Sequence, residues 1–212
     1  MLVAPLPRTL FGASSAAVAG GPRFVRHQLD PCCWVDRVEG FVVGADSLFD
    51  AVEDGFTWEQ GRRLMYGRWL DEPRLTAALD LDTPELPTAV AAIVGDIVDV
   101  LDGHYGRSFS GLFCNYYRSG ADSVAWHADR IGRRVVDPLV AIVSLGGPRT
   151  FAMRDTSGHS PAERWVLHSG DLLVMGGATQ HHWEHSVPKS AGAPPRISLT
   201  TRAGWPDDDR RP

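Results

Sequence analysis

The sequence predicts an α+β fold in which helices come first and a C-terminal β-domain follows. Two observations lead to this class. Apolar residues recur at helical spacing up to about residue 103, and short apolar runs separated by turn residues begin after Phe109. The composition, 43% hydrophobic and 22% charged over 212 residues, is typical of one soluble globular domain with a sizeable core.

Two helices are predicted before the β-domain. The first covers residues 46–53, with Asp46 as its N-cap candidate and Gly55 as its stop. The second begins at residues 83–85, which supply a capping threonine, a proline suited to the first turn and an acidic residue at the positive end of the helix dipole. Gly103 is expected to end it. Its apolar face repeats at helical spacing through Val90, Ile93, Val94, Ile97, Val98 and Leu101.

The region after Phe109 reads as an all-β sandwich or barrel. Its apolar runs are rich in β-branched and aromatic residues and are bounded by Gly, Pro, Asp and Ser. The predicted strands are 112–117, 139–145, 150–154, 164–167, 171–175 and 196–202.

The expected domain organisation is simple. Residues 1–30 are expected to form a flexible arm, with a secretory signal as an alternative interpretation. Residues 31–205 form a single domain whose β-core covers about 109–202, and residues 206–212 form a disordered tail.

Cysteine usage and charge restrict the location and the partners. Three cysteines without a CxxC pair fit a reducing cytoplasm, and no apolar run is long enough for a membrane span. We therefore expect a cytoplasmic protein, and we expect a monomer. A net charge of −5 argues against a surface coated for nucleic acid but leaves room for a local basic groove.

The first sign of chemistry is the pair His127 and Asp129. On an extended segment residues i and i+2 point the same way, so an imidazole and a carboxylate can approach one ion. One further histidine would complete a 2-His-1-carboxylate triad with open coordination positions, as in non-haem iron(II) oxygenases. Spacing leaves this third ligand open among His159, His168, His181, His182 and His185, and the pair alone is equally a solvated histidine beside a turn aspartate.

The last predicted strand presents two arginines on one face. Arg196 and Arg202 alternate with Ile197 and Leu199, so packing of the apolar residues against a second layer would turn both guanidinium groups inward. Buried guanidinium groups need anions, and a dicarboxylate such as 2-oxoglutarate offers one at each end. The alternative is an edge strand whose arginines face water.

The strand before the His–Asp pair shows the same spacing. Asn115 and Tyr117 lie two residues apart, and both side chains can donate hydrogen bonds to carboxylate or keto oxygens. A strand with one polar face explains this pair equally well.

Three stretches together resemble the AlkB family of alkylation-repair demethylases. They are LFCNYYR at 112–118 with DSVAWHAD at 122–129, LLVMGGATQ at 172–180 with WEHSVPK at 183–189, and PRISLTTR at 195–202. The resemblance runs from about Tyr66 to Arg202 and is closest to the branch that accepts single-stranded DNA and RNA. It implies a double-stranded β-helix, or jelly roll, preceded by helices.

The resemblance assigns roles to individual residues. His127, Asp129 and His185 take the positions of the iron ligands. The positions that bind 2-oxoglutarate are Asn115, Tyr117, Arg196, Ser198 and Arg202, with serine at 198 where many members have asparagine.

The activity that the resemblance implies is oxidative demethylation of N-alkylated bases. Fe(II) would be the bound metal, and 2-oxoglutarate and O2 would be consumed, with release of formaldehyde, succinate and CO2. Candidate residues for contact with a flipped-out base or its strand are Tyr66, Trp69, Trp126, Arg130 and Arg154. Arg130 stands where family repair enzymes usually have an acidic residue, and Arg133 and Arg134 complete a basic patch there.

Two other functions remain open at this point. One is an iron and 2-oxoglutarate hydroxylase of a protein or small molecule. The other is a β-helix binding module with a degenerate metal site, which the presence of all three ligand types and both arginines disfavours.

Overall fold

The computed structural model describes residues 15–65, 67–79, 86–129, 135–158 and 161–204. Three helices and fourteen strands lie in these ranges. The helices are α1 (Ala45–Gly55), α2 (Thr88–Tyr105) and α3 (Thr179–His182). The strands are β1 (Ala17–Val18), β2 (Val25–Asp30), β3 (Cys33–Val38), β4 (Val42–Val43), β5 (Glu59–Met65), β6 (Arg68–Leu79), β7 (Phe109–Tyr117), β8 (Val124–His127), β9 (Leu139–Gly146), β10 (Arg149–Asp155), β11 (Glu163–Leu167), β12 (Leu172–Gly177), β13 (Trp183–Val187) and β14 (Arg196–Ala203).

Two antiparallel sheets pack face to face. The larger has eight strands in the order β2-β3-β12-β9-β14-β7-β6-β5, and the smaller has four in the order β11-β10-β13-β8. Strands distant in sequence become neighbours: β14 lies between β7 and β9 and pairs with both. This arrangement fits the jelly-roll core that the family resemblance implies.

Alternation along β9 divides the core into two layers. Val140 and Ile142 pack between the two sheets, whereas Ala141, Val143 and Leu145 pack on the opposite face of the large sheet. The opposite face is covered by α1 and α2, whose apolar residues join the same cluster. The space between the sheets is therefore left for a small core and, at one end, for a pocket.

The two expected helices are present with shifted ends. α1 begins after Gly44, so Asp46 lies in the first turn rather than at the cap. α2 continues past Gly103 to Tyr105, and Gly106 caps it, because Gly106 takes the left-handed conformation (φ 63°) and its N–H donates to the Asp102 carbonyl. The cap expected at residues 83–85 lies outside the described residues.

The expected order of helices first and strands second was wrong. Six strands precede α2, and the hairpin of β5 and β6 lies between the two longer helices. The hairpin was missed because its sequence, with charged residues such as Arg62, Arg63 and Asp71, has no apolar alternation.

Part of the expected flexible arm is ordered structure. Residues 25–30 form β2, which pairs with β3, and Arg26 donates twice to the Asp36 carboxylate at 2.7 Å while stacking over Trp34. Residues 1–14 and the expected tail at 206–212 lie outside the described residues. In the described part of the chain no helix is long and apolar enough to cross a membrane.

Candidate active site

A pocket of about 510 Å³, including its open mouth, lies between the two sheets. One wall comes from β7, β9 and β14 of the large sheet, and the other from β8, β10 and β13 of the small sheet. The lining residues are Arg74, Phe113, Asn115, Tyr117, Val124, His127, Asp129, Val140, Ile142, Phe151, His185, Val187, Arg196, Ser198, Thr200 and Arg202.

Strand pairing brings the two histidines together. His127 of β8 and His185 of β13 are direct partners in the antiparallel register, and their ring centroids are 4.3 Å apart. Asp129 follows His127 by two residues. Its Oδ1 lies 4.0 Å from His127 Nε2 and 3.8 Å from His185 Nε2, and the three donor atoms all lie within 4.8 Å of one another.

This geometry selects one histidine among the five that spacing left open. His185 completes the cluster with His127 and Asp129. His168, His181 and His182 do not line the pocket. His159 lies outside the described residues.

The protonation states of the cluster suit a metal ion. Burial lowers the pKa of His185 to about 4, so its imidazole is neutral at pH 7. Burial acts to raise the pKa of Asp129, but Arg202 and the two histidines outweigh it and hold that pKa below its usual range. The site therefore offers the neutral imidazole of His185 and the ionised carboxylate of Asp129 beside the imidazole of His127, the donor set of the facial triad.

Neighbouring groups orient the donors. His127 Nδ1 lies 2.8 Å from the Ala125 carbonyl, which only accepts, so this nitrogen carries a proton and Nε2 is the ring nitrogen that faces Asp129. Gln180 of α3 accepts a hydrogen bond from the Asp129 N–H at 3.0 Å. The ring of Phe151 stacks on His185 at 5.4 Å.

The two inward arginines differ in their partners. Arg202 Nε and Nη2 both lie 3.1 Å from Asp129 Oδ2. Arg196 is 1% exposed and its Nε donates to Ser144 Oγ at 2.9 Å. Among the described residues, no carboxylate oxygen lies within 4.0 Å of its guanidinium group, so a buried cation faces the pocket without an anion.

The remaining predicted contacts to 2-oxoglutarate also line the pocket. Tyr117 is 2% exposed, and Ser198 and Asn115 are paired across β14 and β7. Asn115 Oδ1 accepts a hydrogen bond from Arg74 Nε at 2.8 Å, which leaves the amide nitrogen as the free donor. Burial is the main cause that raises the pKa of Tyr117, so the phenol keeps its proton for donation.

These residues fit the two groups that the sequence predicts. Three nitrogen and oxygen donors on one side suit Fe(II), since the facial arrangement leaves the opposite positions open. The unpaired guanidinium of Arg196 suits the far carboxylate of 2-oxoglutarate, because arginine binds carboxylates bidentately.

Three of the five predicted substrate residues lie outside the pocket lining. Trp69 is 60% exposed on the β5–β6 hairpin, and Trp126 lies under the guanidinium of Arg154 at 4.5 Å. Arg154 also forms an ion pair with Glu184 at 2.6 Å. None of these three predicted residues lines the pocket. Tyr66 and Arg130, like the patch residues 133 and 134, lie outside the described residues.

Sequence reasoning missed four residues that support the site: Arg74, Ser144, Phe151 and Gln180. Each acts through a contact between segments that are far apart in sequence, and such contacts depend on strand pairing. Gln180 lies inside the quoted stretch LLVMGGATQ, which is the one local signal that pointed to it.

Comparison with known proteins gives a consistent result. A family model described as "2OG-Fe(II) oxygenase superfamily" matches residues 72–202. Alpha-ketoglutarate-dependent dioxygenase alkB homolog 3 of Bos taurus is 34% identical over a 186-residue alignment that covers 77% of this chain and 63% of that protein. DNA oxidative demethylase ALKBH2 of Homo sapiens is 30% identical, covering 74% of this chain and 68% of that protein.

Solved structures agree on the fold. The structure of OsALKBH1 has a TM-score of 0.54 at 17% identity and covers 84% of this chain and 99% of that one. The chain spans somewhat less than two thirds of the alkB homolog 3 proteins that it matches, 63% in the Bos taurus protein. From the family match, the identity to these relatives and the triad, the chain belongs to the 2OG-Fe(II) oxygenase superfamily and, within it, to the AlkB family.

Proposed function

We propose that this protein is an Fe(II)- and 2-oxoglutarate-dependent dioxygenase that oxidatively demethylates N-alkylated bases in DNA or RNA. The observation that carries the proposal is the cluster of His127, Asp129 and His185 beside the buried, unpaired guanidinium of Arg196. The names of the relatives, alkB homolog 3 and DNA oxidative demethylase ALKBH2, support a nucleic-acid substrate.

In this function the residues of the pocket have distinct roles. His127, Asp129 and His185 would hold the metal. Bound iron(II) and 2-oxoglutarate supply the oxidation of the N-alkyl carbon by O2, with conversion of the keto acid to succinate and CO2. Arg196 fixes the far carboxylate of 2-oxoglutarate, with Tyr117 as a neighbouring hydrogen-bond donor.

Arg202 keeps the metal-binding carboxylate ionised and oriented through its two contacts with Asp129. The apolar side chains of Val140, Ile142 and Phe151 line the same pocket. They limit water around the reacting groups, which strengthens the electrostatic contacts there.

The substrate base must reach the pocket from outside the stack. The β5–β6 hairpin carries an exposed aromatic residue, Trp69, and exposed arginines at Arg62, Arg63 and Arg68. Aromatic faces with neighbouring cations are the usual means of binding single strands. We therefore propose single-stranded DNA or RNA as the substrate form. We also propose that the protein acts as a monomer in the cytoplasm.

The test uses the full chain loaded with Fe(II) under reducing conditions. It is incubated with 2-oxoglutarate and oligonucleotides that contain 1-methyladenine or 3-methylcytosine, single-stranded and duplex, with unmethylated strands of the same sequence as controls. Formaldehyde and succinate are measured together. We expect both products in equal amounts, with the single strand as the better substrate.

Each contrary result has a defined meaning. Succinate without formaldehyde from any methylated strand would contradict the nucleic-acid substrate and point to hydroxylation of a protein or small molecule. Absence of 2-oxoglutarate turnover with iron bound would contradict the proposed dioxygenase activity.

A further inference from the structure

We propose a second metal site, built from Cys32, Cys33 and His182, that binds a divalent thiophilic cation with Zn(II) as the reference ion. The turn between β2 and β3 supplies the thiol of Cys32, the first residue of β3 supplies that of Cys33, and the last residue of α3 supplies the imidazole. The three donor atoms lie within 4.8 Å of one another, in a cluster separate from His127, Asp129 and His185.

The distances are those of a tetrahedral zinc site. Zinc binds thiolate sulfur at about 2.3 Å and imidazole nitrogen at about 2.0 Å, which places two sulfurs roughly 3.8 Å apart and sulfur and nitrogen roughly 3.6 Å apart. The two sulfurs of Cys32 and Cys33 are 3.8 Å apart. His182 Nδ1 is 3.7 Å from the first sulfur and 4.0 Å from the second.

The surroundings favour a cation. The Asp30 carboxylate lies 3.2 Å from the Cys32 sulfur, and its other oxygen accepts a hydrogen bond from Trp183 Nε1 at 2.7 Å. Cys32 and His182 are exposed, so an ion has a path to the donors, whereas Cys33 is buried. Binding displaces the two thiol protons to solvent and forms two metal–sulfur bonds, with no change of oxidation state.

Disulfide formation does not explain this geometry. A disulfide needs sulfurs about 2.05 Å apart, and these are free thiols at nearly twice that distance. A bound ion would instead tie the β2–β3 turn to α3, adding to the hydrogen bond from the Ala178 N–H to the Cys32 carbonyl at 2.9 Å. Because α3 also carries Gln180, which holds the backbone of Asp129, the proposed ion would brace the segment behind the first site.

Cobalt(II) distinguishes this site from the first one, because the first site contains no sulfur. The full chain is reduced with a phosphine, its free thiols are counted, and Co(II) is titrated while the near-ultraviolet thiolate-to-cobalt charge-transfer band is recorded. We expect the band to saturate at one ion per chain and to disappear when Zn(II) is added. The readout does not depend on catalysis, so failure here and failure of the proposed demethylase activity are distinguishable.

Variants identify the ligands. Loss of a residue that only orients a ligand typically weakens metal binding 10- to 100-fold, so loss of a ligand itself should weaken Zn(II) binding by at least roughly 100-fold. We expect this for Cys32→Ser and His182→Ala, whose side chains are exposed and whose loss leaves the core intact, and for Cys33→Ser if circular dichroism shows it folded. Cys114→Ala, a thiol outside the cluster, and His168→Ala should bind as the unmodified protein does.

Three results would overturn the proposal: no charge-transfer band with three free thiols, a band that survives Cys32→Ser and His182→Ala unchanged, or a band that is lost in Cys114→Ala.

Discussion

Two arginines of β14 line the pocket, and only one of them, Arg202, has a carboxylate partner in the part of the chain that the structure describes. Arg202 is paired with Asp129. Arg196 also lines the pocket, but its Nε donates to the hydroxyl of Ser144 rather than to a carboxylate, and burial lowers its pKa. A buried charge without a counter-charge destabilises a fold unless a ligand supplies one. The unpaired arginine is therefore a feature of binding rather than of stability.

This difference leads to a prediction for Arg196→Met. Charge-assisted hydrogen bonds contribute about 1.5–3 kcal/mol each, so the KM for 2-oxoglutarate should rise roughly 10- to 100-fold. Without 2-oxoglutarate the melting temperature should be equal or higher, because the variant buries no unpaired charge. The rise in melting temperature on addition of 2-oxoglutarate should be lost.

The control for this prediction is Arg164→Met, on the exposed surface of β11. It should keep both the KM and the ligand-induced shift. A strongly reduced melting temperature for Arg196→Met in the absence of ligand would show that this arginine stabilises the fold instead.

A second prediction concerns the metal ligands. His127→Ala and Asp129→Ala should each lower 2-oxoglutarate turnover by more than about 100-fold, since even a residue that only orients a ligand is worth 10–100-fold in affinity or activity. The far-ultraviolet circular dichroism spectrum should be unchanged. Succinate formation at saturating Fe(II) checks the result, and His168→Ala, at an exposed histidine away from the pocket, is the control. Retained turnover in either ligand variant would refute the assignment.

What the sequence predicted at this scale follows from local geometry. Alternation along β14 is a property of one strand, so the common face of Arg196 and Arg202 was predictable, and so was the shared direction of His127 and Asp129. The choice of His185 was different. It depends on the pairing of β8 with β13, which spacing does not show, and it came from the resemblance.

At the scale of elements, the junction of β12 and α3 helps to position the segment that carries Asp129, because Gln180 of α3 accepts a hydrogen bond from its backbone. Gly177 has φ +65°, and a Cβ there would lie 2.1 Å from the carbonyl oxygen of Cys32. A side chain is thus excluded twice, by backbone conformation and by the close approach of the β2–β3 turn. Gly192 has a similar φ of +71° but open space around it.

The two glycines provide a matched pair of variants. Gly192→Ala should lower the free energy of unfolding by about 1–2 kcal/mol, the cost of a left-handed non-glycine residue. Gly177→Ala should lower the free energy of unfolding by about 1–3 kcal/mol more than this, because the backbone of the β2–β3 turn must move. Urea denaturation measures both. Equal losses would mean that the turn yields without cost.

The connection between β7 and β8 depends on one carboxylate. Asp122 accepts hydrogen bonds from the backbone N–H, Nε and Nη2 of Arg118 at 2.8–3.0 Å. Burial acts to raise the pKa of Asp122, but these contacts outweigh it, so the pKa lies below its ordinary value. The carboxylate therefore stabilises the fold above the unfolded-state pKa of about 3.9, and this contribution is lost as the pH falls through the lower folded-state pKa.

We accordingly expect Asp122→Asn to flatten the acid limb of the stability curve. The unmodified protein should lose free energy of unfolding more steeply below about pH 4 than the variant does. Asp99→Asn, on an exposed position of α2, removes the same charge and serves as the control. Urea denaturation at a series of pH values gives both curves, and parallel acid limbs would contradict the role of Asp122.

Elements were predictable where one chain segment carries its own signal. The apolar repeat of α2 and the apolar runs of β9 and β12 were found because both faces of those strands are buried. The β5–β6 hairpin and β2 were not, because β2 and β5 are polar edge strands of the large sheet and β6, which pairs with β5 and β7, is also largely polar, so all three owe their conformation to their neighbours.

At the scale of the whole molecule, an acidic protein is proposed to bind a polyanion. With a net charge of −5, affinity cannot come from the overall field and must come from local cations. Arg68 at the tip of the β5–β6 hairpin is exposed. β5 and β2 are opposite edges of the eight-stranded sheet, so Arg23, just before β2, lies at the far side from this hairpin.

These positions give a final prediction. Binding of a methylated single strand should weaken as salt rises, and the slope of log affinity against log salt should fall in magnitude by about 0.7 for each phosphate contact removed. Arg68→Gln should show this loss, measured by fluorescence anisotropy with Fe(II) and a non-reactive 2-oxoglutarate analogue. Arg23→Gln removes the same charge from the molecule but should leave the slope unchanged. If both variants change the slope equally, the net charge governs binding and the hairpin is not the nucleic-acid contact; if neither does, the phosphates are held elsewhere.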